Sequence, residues 1–400
     1  MSFFELPPLI EKMLATADNI SDLNFSVGRP PQVEINGKLT PVEIKGLRVL
    51  TPYQTEVIAM SLLSGNNDGA EKLLKSGAVD ISFSIHQRTR FRVNIFSQRG
   101  TYCIVMRVIP TEVPSIESLQ LPPQLGEISF YKNGIVLLTG PTGSGKSSTL
   151  AAIIDKINRE KYYHIVTIED PIEFLHSHKN STINQRELGS DTPSFALALR
   201  AALRQAPKVI LVGEMRDLET TEIALEASET GHLVLSTLHT TNASKTVDRI
   251  IGLYPKNEEH IIRVRLAQSF RYIISQRLVP RADGKGRLAA VEILKSTPRT
   301  REYIEKGESD GKSLLDAMND GELEGMQHFD QVIEKWIRQG VISKEDGLSF
   351  STNPSNLQLR LSGLGTSSDF VVGGQDSSRG DNRGGSGSSN AGSMRNLIER

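Results

Sequence analysis

The sequence predicts an α/β protein built on a mostly parallel sheet, with a small α+β region before it and a helical region after it. Three observations carry this. From Gly134 onward, short apolar segments alternate with helix-like ones, the pattern of a sheet covered on both faces. The first of these segments runs into the glycine-rich turn Gly140-Pro141-Thr142-Gly143-Ser144-Gly145-Lys146-Ser147, which opens a helix. Up to about residue 110 the chain instead shows hairpin signals and period-two strands.

Taken in order, residues 5–17 carry apolar side chains at helical spacing. Asn24–Val27 and Gln32–Ile35 read as strands, the second turning at Asn36-Gly37, a hairpin signal. A helix is expected near Thr51–Leu63, then alternating strands at Val79–Ile85, Arg90–Ser97 and Tyr102–Val108. Pro110, Pro114, Pro122 and Pro123 mark a linker across 111–133. The strands expected next are Ile135–Leu138, His164–Ile168, Val209–Val212 and Leu233–Thr237, with a helix at Ser147–Ile157, in a domain spanning 134–295. Residues 296–364 read as helical, at Ser313–Met318, His328–Arg338 and Lys344–Leu348. From 365 to 400 the chain is dominated by Gly, Ser, Asn and Asp and is expected to be disordered, because it has too little apolar surface to offset its ordering entropy.

Composition narrows the function. The 400 residues are 38% hydrophobic and 23% charged, a soluble globular mix, and exceed one ordinary domain. A formal net charge of -1 argues against a nucleic-acid partner or a strongly cationic membrane binder. The lone Cys103 lies in an apolar run and reads as a small buried hydrophobe, which suits a reducing cytoplasm. The beginning MSFFELPPLIEKML is not the pattern of a secretory leader, and no run approaches a spanning helix, so no direct membrane insertion is expected.

The strongest chemical signal is the run Gly140 to Ser147, which a chain of this length meets by accident on the order of once in a hundred. Its glycines let backbone N–H groups approach phosphate oxygens, and the following helix aims its positive end at the same anion. Lys146 is expected to bridge the β- and γ-phosphates of ATP, and the Ser147 hydroxyl to ligate Mg2+. Two acidic clusters follow strands at the expected ligand edge: Glu169-Asp170-Pro171-Ile172-Glu173, and Glu214-Met215-Arg216-Asp217. A further apolar strand is bracketed by His232 and His239, which are expected to sense the γ-phosphate or to cross to a neighbouring subunit.

Together Gly140–Ser147, Ile168–His176, Val209–Thr220 and Glu229–Asn242 resemble the Walker A, Asp-box, Walker B and His-box segments of the secretion-superfamily ATPases. The resemblance is to the type IV pilus retraction (twitching-motility) branch, the PilT/PilU family, and covers about residues 1–350; SDLNFSVGRPPQVEINGKL, RFRVNIFSQRG and Asn184 through Lys208 add to it. It implies a PAS-like N-terminal domain (1–110) joined to a RecA-like P-loop ATPase core, assembled as a homo-hexamer with ATP between subunits. By position Glu173 resembles the base that polarises water, and Glu214 the Walker B acid of the Mg2+ shell. The residues Gly140, Thr142, Gly143, Ser144, Gly145, Lys146, Ser147 and Ser148 resemble the nucleotide cradle. Arg90, Arg92 and Arg107 resemble arginines that reach a neighbour's phosphates. The implied partners are an inner-membrane pilus platform protein and a second retraction ATPase, with the chain cytoplasmic at that machine.

Thr297–Tyr303 departs from the main retraction branch, whereas Gly325–Gln331 and Asn356–Leu361 are more similar to the accessory branch, so both stay open. A pilus-extension or type II secretion ATPase fits less well, since those carry a four-cysteine insertion. A DNA translocase lacks support in the charge balance, and a non-hydrolysing ring scaffold is disfavoured by Glu173 with Glu214.

Overall fold

The first forty residues build the outer half of an antiparallel sheet. The computed structural model describes residues 5–44, 46–85 and 89–363; the expected disordered tail from 365 lies outside them. Helix α1 (Leu6–Leu14) has proline in its first turn, where a missing N–H is harmless, and buries Leu6, Leu9, Ile10 and Met13. Strands β1 (Ile20–Phe25), β2 (Gln32–Ile35) and β3 (Lys38–Pro41) follow. The β2–β3 turn places Asn36 at φ 52° and Gly37 at φ 76°, the doubly positive turn that Asn-Gly favours. Helix α2 (Pro52–Leu62) is capped reciprocally by Thr51 and Gln54. Helix α3 (Asn67–Ser76) has no counterpart in the sequence reading; among its ten residues only Gly69 and Leu73 are buried, too weak a stripe to signal a helix. Strands β4 (Ala78–Ile85), β5 (Thr89–Gln98) and β6 (Thr101–Ile109) complete a six-stranded sheet of order β3-β2-β1-β6-β5-β4. Cys103 is buried in it, its Sγ 3.0 Å from the Ser26 hydroxyl.

The segment expected as a linker does more than connect. Ile116, Leu121, Leu125 and Ile128 are buried against the second sheet, the last two in a 3-10 turn over Pro123–Phe130. Pro123 starts that turn, and the apolar side chains between the prolines pack.

The second sheet contains β7 (Gly134–Thr139), β8 (His164–Glu169), β9 (Thr182–Glu187), β10 (Val209–Val212), β11 (Leu233–Leu238), β12 (Phe270–Pro280) and β13 (Arg287–Lys295). Their order is β13-β12-β7-β11-β10-β8-β9, parallel except for the antiparallel β12–β13 pair. Helices α4 (Lys146–Glu160), α5 (Phe195–Ala202), α6 (Leu218–Glu229), α7 (Ala243–Ile251) and α8 (Glu259–Ser269) cover it. Along β7, Ile135 and Leu137 face one core and Val136 and Leu138 the other, so the strand reads as a continuous apolar run. Every residue of β7, β10 and β11 is buried, whereas edge strand β9 (sequence TINQRE) is largely polar and gave no such signal.

Helices α9 (Pro298–Lys306), α10 (Leu314–Asp320), α11 (Phe329–Arg338), α12 (Lys344–Phe350) and α13 (Pro354–Leu361) close the described chain. Phe329 and Ile333 of α11, Ile342 of the loop after it and Leu357 of α13 pack onto Val279 and Ala290 of the β12–β13 hairpin, and the Arg277 guanidinium lies 3.8 Å over the Phe329 ring. Among the described residues no helix is long and apolar enough to cross a membrane.

One buried acid makes stability depend on pH. Glu292, on β13, accepts the Ala243 N–H at 2.8 Å and the Ser275 hydroxyl at 3.0 Å. Burial pushes its carboxyl up to about 7, against those two donors and Arg277, with Asp330 adding to the rise. Its folded-state value thus exceeds its unfolded one, and the native state holds the proton through the window between them. Stability is therefore expected to fall as pH rises through that window, by up to about 3 kcal/mol, then level off. Glu292→Gln should be near parent stability at pH 5 and more stable at pH 8, by urea midpoints. An unchanged difference between the two pH values would contradict this.

Candidate nucleotide-binding site

The loop after β7 is shaped by what lies behind it. Gly140 has φ +145°, and a Cβ there would stand 2.4 Å from the Gln276 carbonyl oxygen; at Gly145, φ +88°, a Cβ would stand 2.8 Å from Gln276 Nε2. Both positions therefore require glycine. Gln276, buried on β12, donates Nε2 to the Ser144 carbonyl at 2.7 Å and accepts the Thr149 hydroxyl at 2.8 Å, clamping loop to helix. Lys146 is buried at the start of α4, and its Nζ donates to the carbonyls of Gly140 (2.8 Å) and Pro141 (3.0 Å). Burial lowers its pKa, and the nearby Glu214 carboxylate opposes that shift.

The loop fits a phosphate group on three further counts. No side chain caps the first turn of the fifteen-residue α4, so its N–H groups face outward. The Ser147 and Ser148 side chains line the cleft, whereas the partnerless Ser144 Oγ lies behind the loop beside Gly140 and Gln276. Glycine at 140 and 145 leaves room where a Cβ would intrude on Gln276 behind the loop.

Two acids close the cleft from neighbouring strand ends. Glu214 follows β10; its Oε2 accepts Arg216 Nε at 2.7 Å, and its Oε1 lies 3.5 Å from His239 Nε2. Thr237 donates to the Gly213 carbonyl at 2.6 Å, which ties the ends of β10 and β11 together. Glu173 lies in the loop after β8, which two side chains pin. Glu169 accepts the Thr167 hydroxyl at 2.6 Å and Gln185 Nε2 at 3.1 Å. Gln185 also donates to the Phe174 carbonyl at 2.9 Å and accepts the His176 N–H at 2.8 Å. Burial raises the Glu169 carboxyl, opposed by Thr167, Gln185 and the Glu173 N–H. Burial pushes the His176 imidazole down to about 4, so it lines the cleft as a neutral ring.

The cleft has a volume of about 700 Å³. It brings together Thr142, Gly143, Gly145, Lys146, Ser147 and Ser148 with Glu173, Glu214 and His239, while Gly140 and Ser144 lie against Gln276. Ser147 and Glu214 face it with oxygen donors, the ligand type that suits Mg2+.

Of the two histidines, His239 lines this cleft and His232 does not. His232 and His239 bracket β11, so they stand at opposite ends of a six-residue strand, on the order of 20 Å apart. The His232 Nδ1 is 3.0 Å from the Ala227 carbonyl, closing the end of α6 far from the phosphate loop. Nor does any of the three arginines line its own chain's cleft. Arg92 and Arg107 oppose each other across β5 and β6, with Arg107 also paired to Asp22 at 3.0 Å, and both are exposed. Arg90 pairs with Glu187 at 3.0 Å. No sequence motif marks Gln276, Gln185 or Glu187; for the last two the polar run Asn184–Glu187 inside a strand is the available signal.

A glycine loop at the carboxyl edge of a parallel sheet, a buried lysine and two acids at adjacent strand ends define a P-loop nucleoside-triphosphate hydrolase. The chain matches the family model described as type II/IV secretion system protein over residues 42–335, and it belongs to that family. It is similar to the type IV pilus retraction ATPase PilT of Pseudomonas aeruginosa, at 42% identity over 84% of this chain and 95% of the relative. The type IV pilus ATPase PilU of the same organism is 39% identical over 87% of this chain and 89% of its own length. The crystal structure of the pilus retraction motor PilT with bound ADP superposes with a TM-score of 0.77 at 42% identity, covering 89% of this chain and 99% of that one. The fold is that of a RecA-like secretion ATPase, and the chain is a nucleotide-binding ATP hydrolase.

Proposed function

We propose that this chain is one subunit of a homo-hexameric ring that hydrolyses ATP to drive type IV pilus retraction. The observation that carries the reading is the split of the machinery. Phosphate loop, Glu214 and Glu173 converge on one cleft, while the exposed Arg92 and Arg107 lie on the N-terminal sheet outside it. The arginines that line the cleft are Arg216 and Arg287, and those of the N-terminal sheet, absent from it, are supplied by the next protomer. The retraction role is supported by similarity to PilT and PilU proteins, and the main and accessory roles are supported about equally.

The steps follow from named groups. Loop N–H groups, the α4 N-terminus and Lys146 hold the phosphates, and Lys146 leaves the Gly140 and Pro141 carbonyls to do so. Ser147 and Glu214 would hold Mg2+, which when bound neutralises phosphate charge. Glu173 orients the attacking water and accepts its proton, and His239, beside Glu214, reads whether the γ-phosphate is present. Arg92, Arg107 or Arg90 of the neighbouring subunit stabilises the charge of the transferring group. Residues 1–110 form the moving N-terminal domain, 134–295 the ATPase domain and 296–364 a helical subdomain. The work passes to an inner-membrane pilus platform protein at the cytoplasmic face, alongside a second retraction ATPase if the role is accessory.

The test is Mg2+-dependent phosphate release measured against protein concentration. Specific activity should rise steeply with assembly. Activity independent of concentration in a monomeric sample would refute the shared-site ring.

A further inference from the structure

Glu187 occupies an unusual junction. It ends β9 beside Glu169 and is 4% exposed. Its Oε2 accepts the Ile172 N–H at 3.0 Å and the Arg90 guanidinium at 3.0 Å, and its Oε1 accepts the Ser82 hydroxyl. Its own N–H donates to the Asp191 carboxylate at 2.7 Å. Ser82 and Arg90 belong to β4 and β5 of the N-terminal sheet. Ile172 immediately precedes Glu173 in the loop that Glu169 and Gln185 hold from the other side.

We infer that Glu187 is a positioning residue that ties the placement of the N-terminal sheet to the aim of Glu173. A buried carboxylate is stable only while its donors are present, so the sheet cannot leave without Glu187 being re-solvated or re-aimed. Either change withdraws the acceptor that fixes the Ile172 N–H. The loop then loses its third anchor and Glu173 its alignment, a small displacement to which proton transfer is sensitive. Room for such a movement exists beside the joint, in a cleft of about 370 Å³ bounded by Ser82, Arg92, Asp170 and Glu187. Turnover in one subunit is thereby conditional on where its own N-terminal sheet sits. The inference rests on the proposed role of Glu173.

Ser82→Ala provides the cleanest test, because it removes one donor on the N-terminal sheet and leaves the nucleotide cleft intact. The measurements are kcat, the KM for ATP and the assembly state of the full chain. Ser82→Ala should lower kcat several-fold and Glu187→Ala about tenfold or more, with KM within about twofold and assembly unchanged. Glu187→Gln, which keeps an acceptor, should recover part of the loss. The double variant Ser82→Ala/Glu187→Ala should be no slower than Glu187→Ala alone. Parent-like kcat in Ser82→Ala, multiplying effects, or a loss that follows disassembly would overturn the inference. Should Glu187→Ala fail to fold, Ser82→Ala and Glu187→Gln decide alone. A Glu173→Gln variant that still turns over would sink the Glu173 reading itself, whereas an inactive Glu173→Gln with a normal Ser82→Ala sinks only the coupling.

Discussion

Glu173→Gln is expected to slow ATP hydrolysis by a factor of about 10²–10⁴, the range for loss of a positioned general base, while nucleotide affinity stays near that of the parent. The amide keeps the size of the carboxylate and its place in the cleft but cannot take a proton from water. Its loop should not collapse, because Glu169 and Gln185 hold it through their own hydrogen bonds, none of which uses the Glu173 side chain. Single-turnover hydrolysis and binding of a fluorescent ATP analogue separate the two effects. A variant that binds and hydrolyses normally would move the base to another acid of the cleft, with Glu169 and Asp170 next in line.

Lys146→Ala should act on the other axis. Nζ lies at the base of the phosphate loop, and two charge-assisted bonds to phosphate oxygens contribute about 3–4 kcal/mol, or roughly 10²–10³ in affinity. The same Nζ holds the loop through Gly140 and Pro141, so the variant loses preorganisation as well as charge. Equilibrium binding of ADP and ATP measures it. The triphosphate should suffer the larger loss, because Lys146 is assigned to the β- and γ-phosphates. Equal, small losses for both would contradict that assignment.

These effects differ in how visible they are in the chain itself. The phosphate loop is contiguous, and β7, β10 and β11, which lead to the cleft, are buried throughout. Gly140–Ser147, Val209–Val212 and Leu233–Leu238 could therefore be read directly. What supports them is not contiguous. Gln276 meets the loop across more than a hundred residues of chain, on a strand whose antiparallel partner β13 gives no local sign of the pairing. Glu187 lies in a polar edge strand whose composition resembles a loop, and two of its partners, Ser82 and Arg90, come from the other sheet. His232 and His239 show a further limit: seven positions apart in sequence, they stand at opposite ends of one strand in space. The prolines mark 111–133 as a connecting segment but do not show which of its side chains are buried, as Ile116 and Leu125 are.

The claim on which the account turns is that each site is completed by the neighbouring subunit. Mixing two inactive variants tests it most directly: Glu173→Gln, with its arginines intact, and Arg92→Ala, with its cleft intact. Each alone should hydrolyse ATP poorly. In mixed rings, an Arg92→Ala subunit beside a Glu173→Gln subunit has an intact cleft facing an intact arginine, and activity should return. Mixed rings that form, as shown by mass photometry, yet remain as inactive as their parents would contradict a shared site.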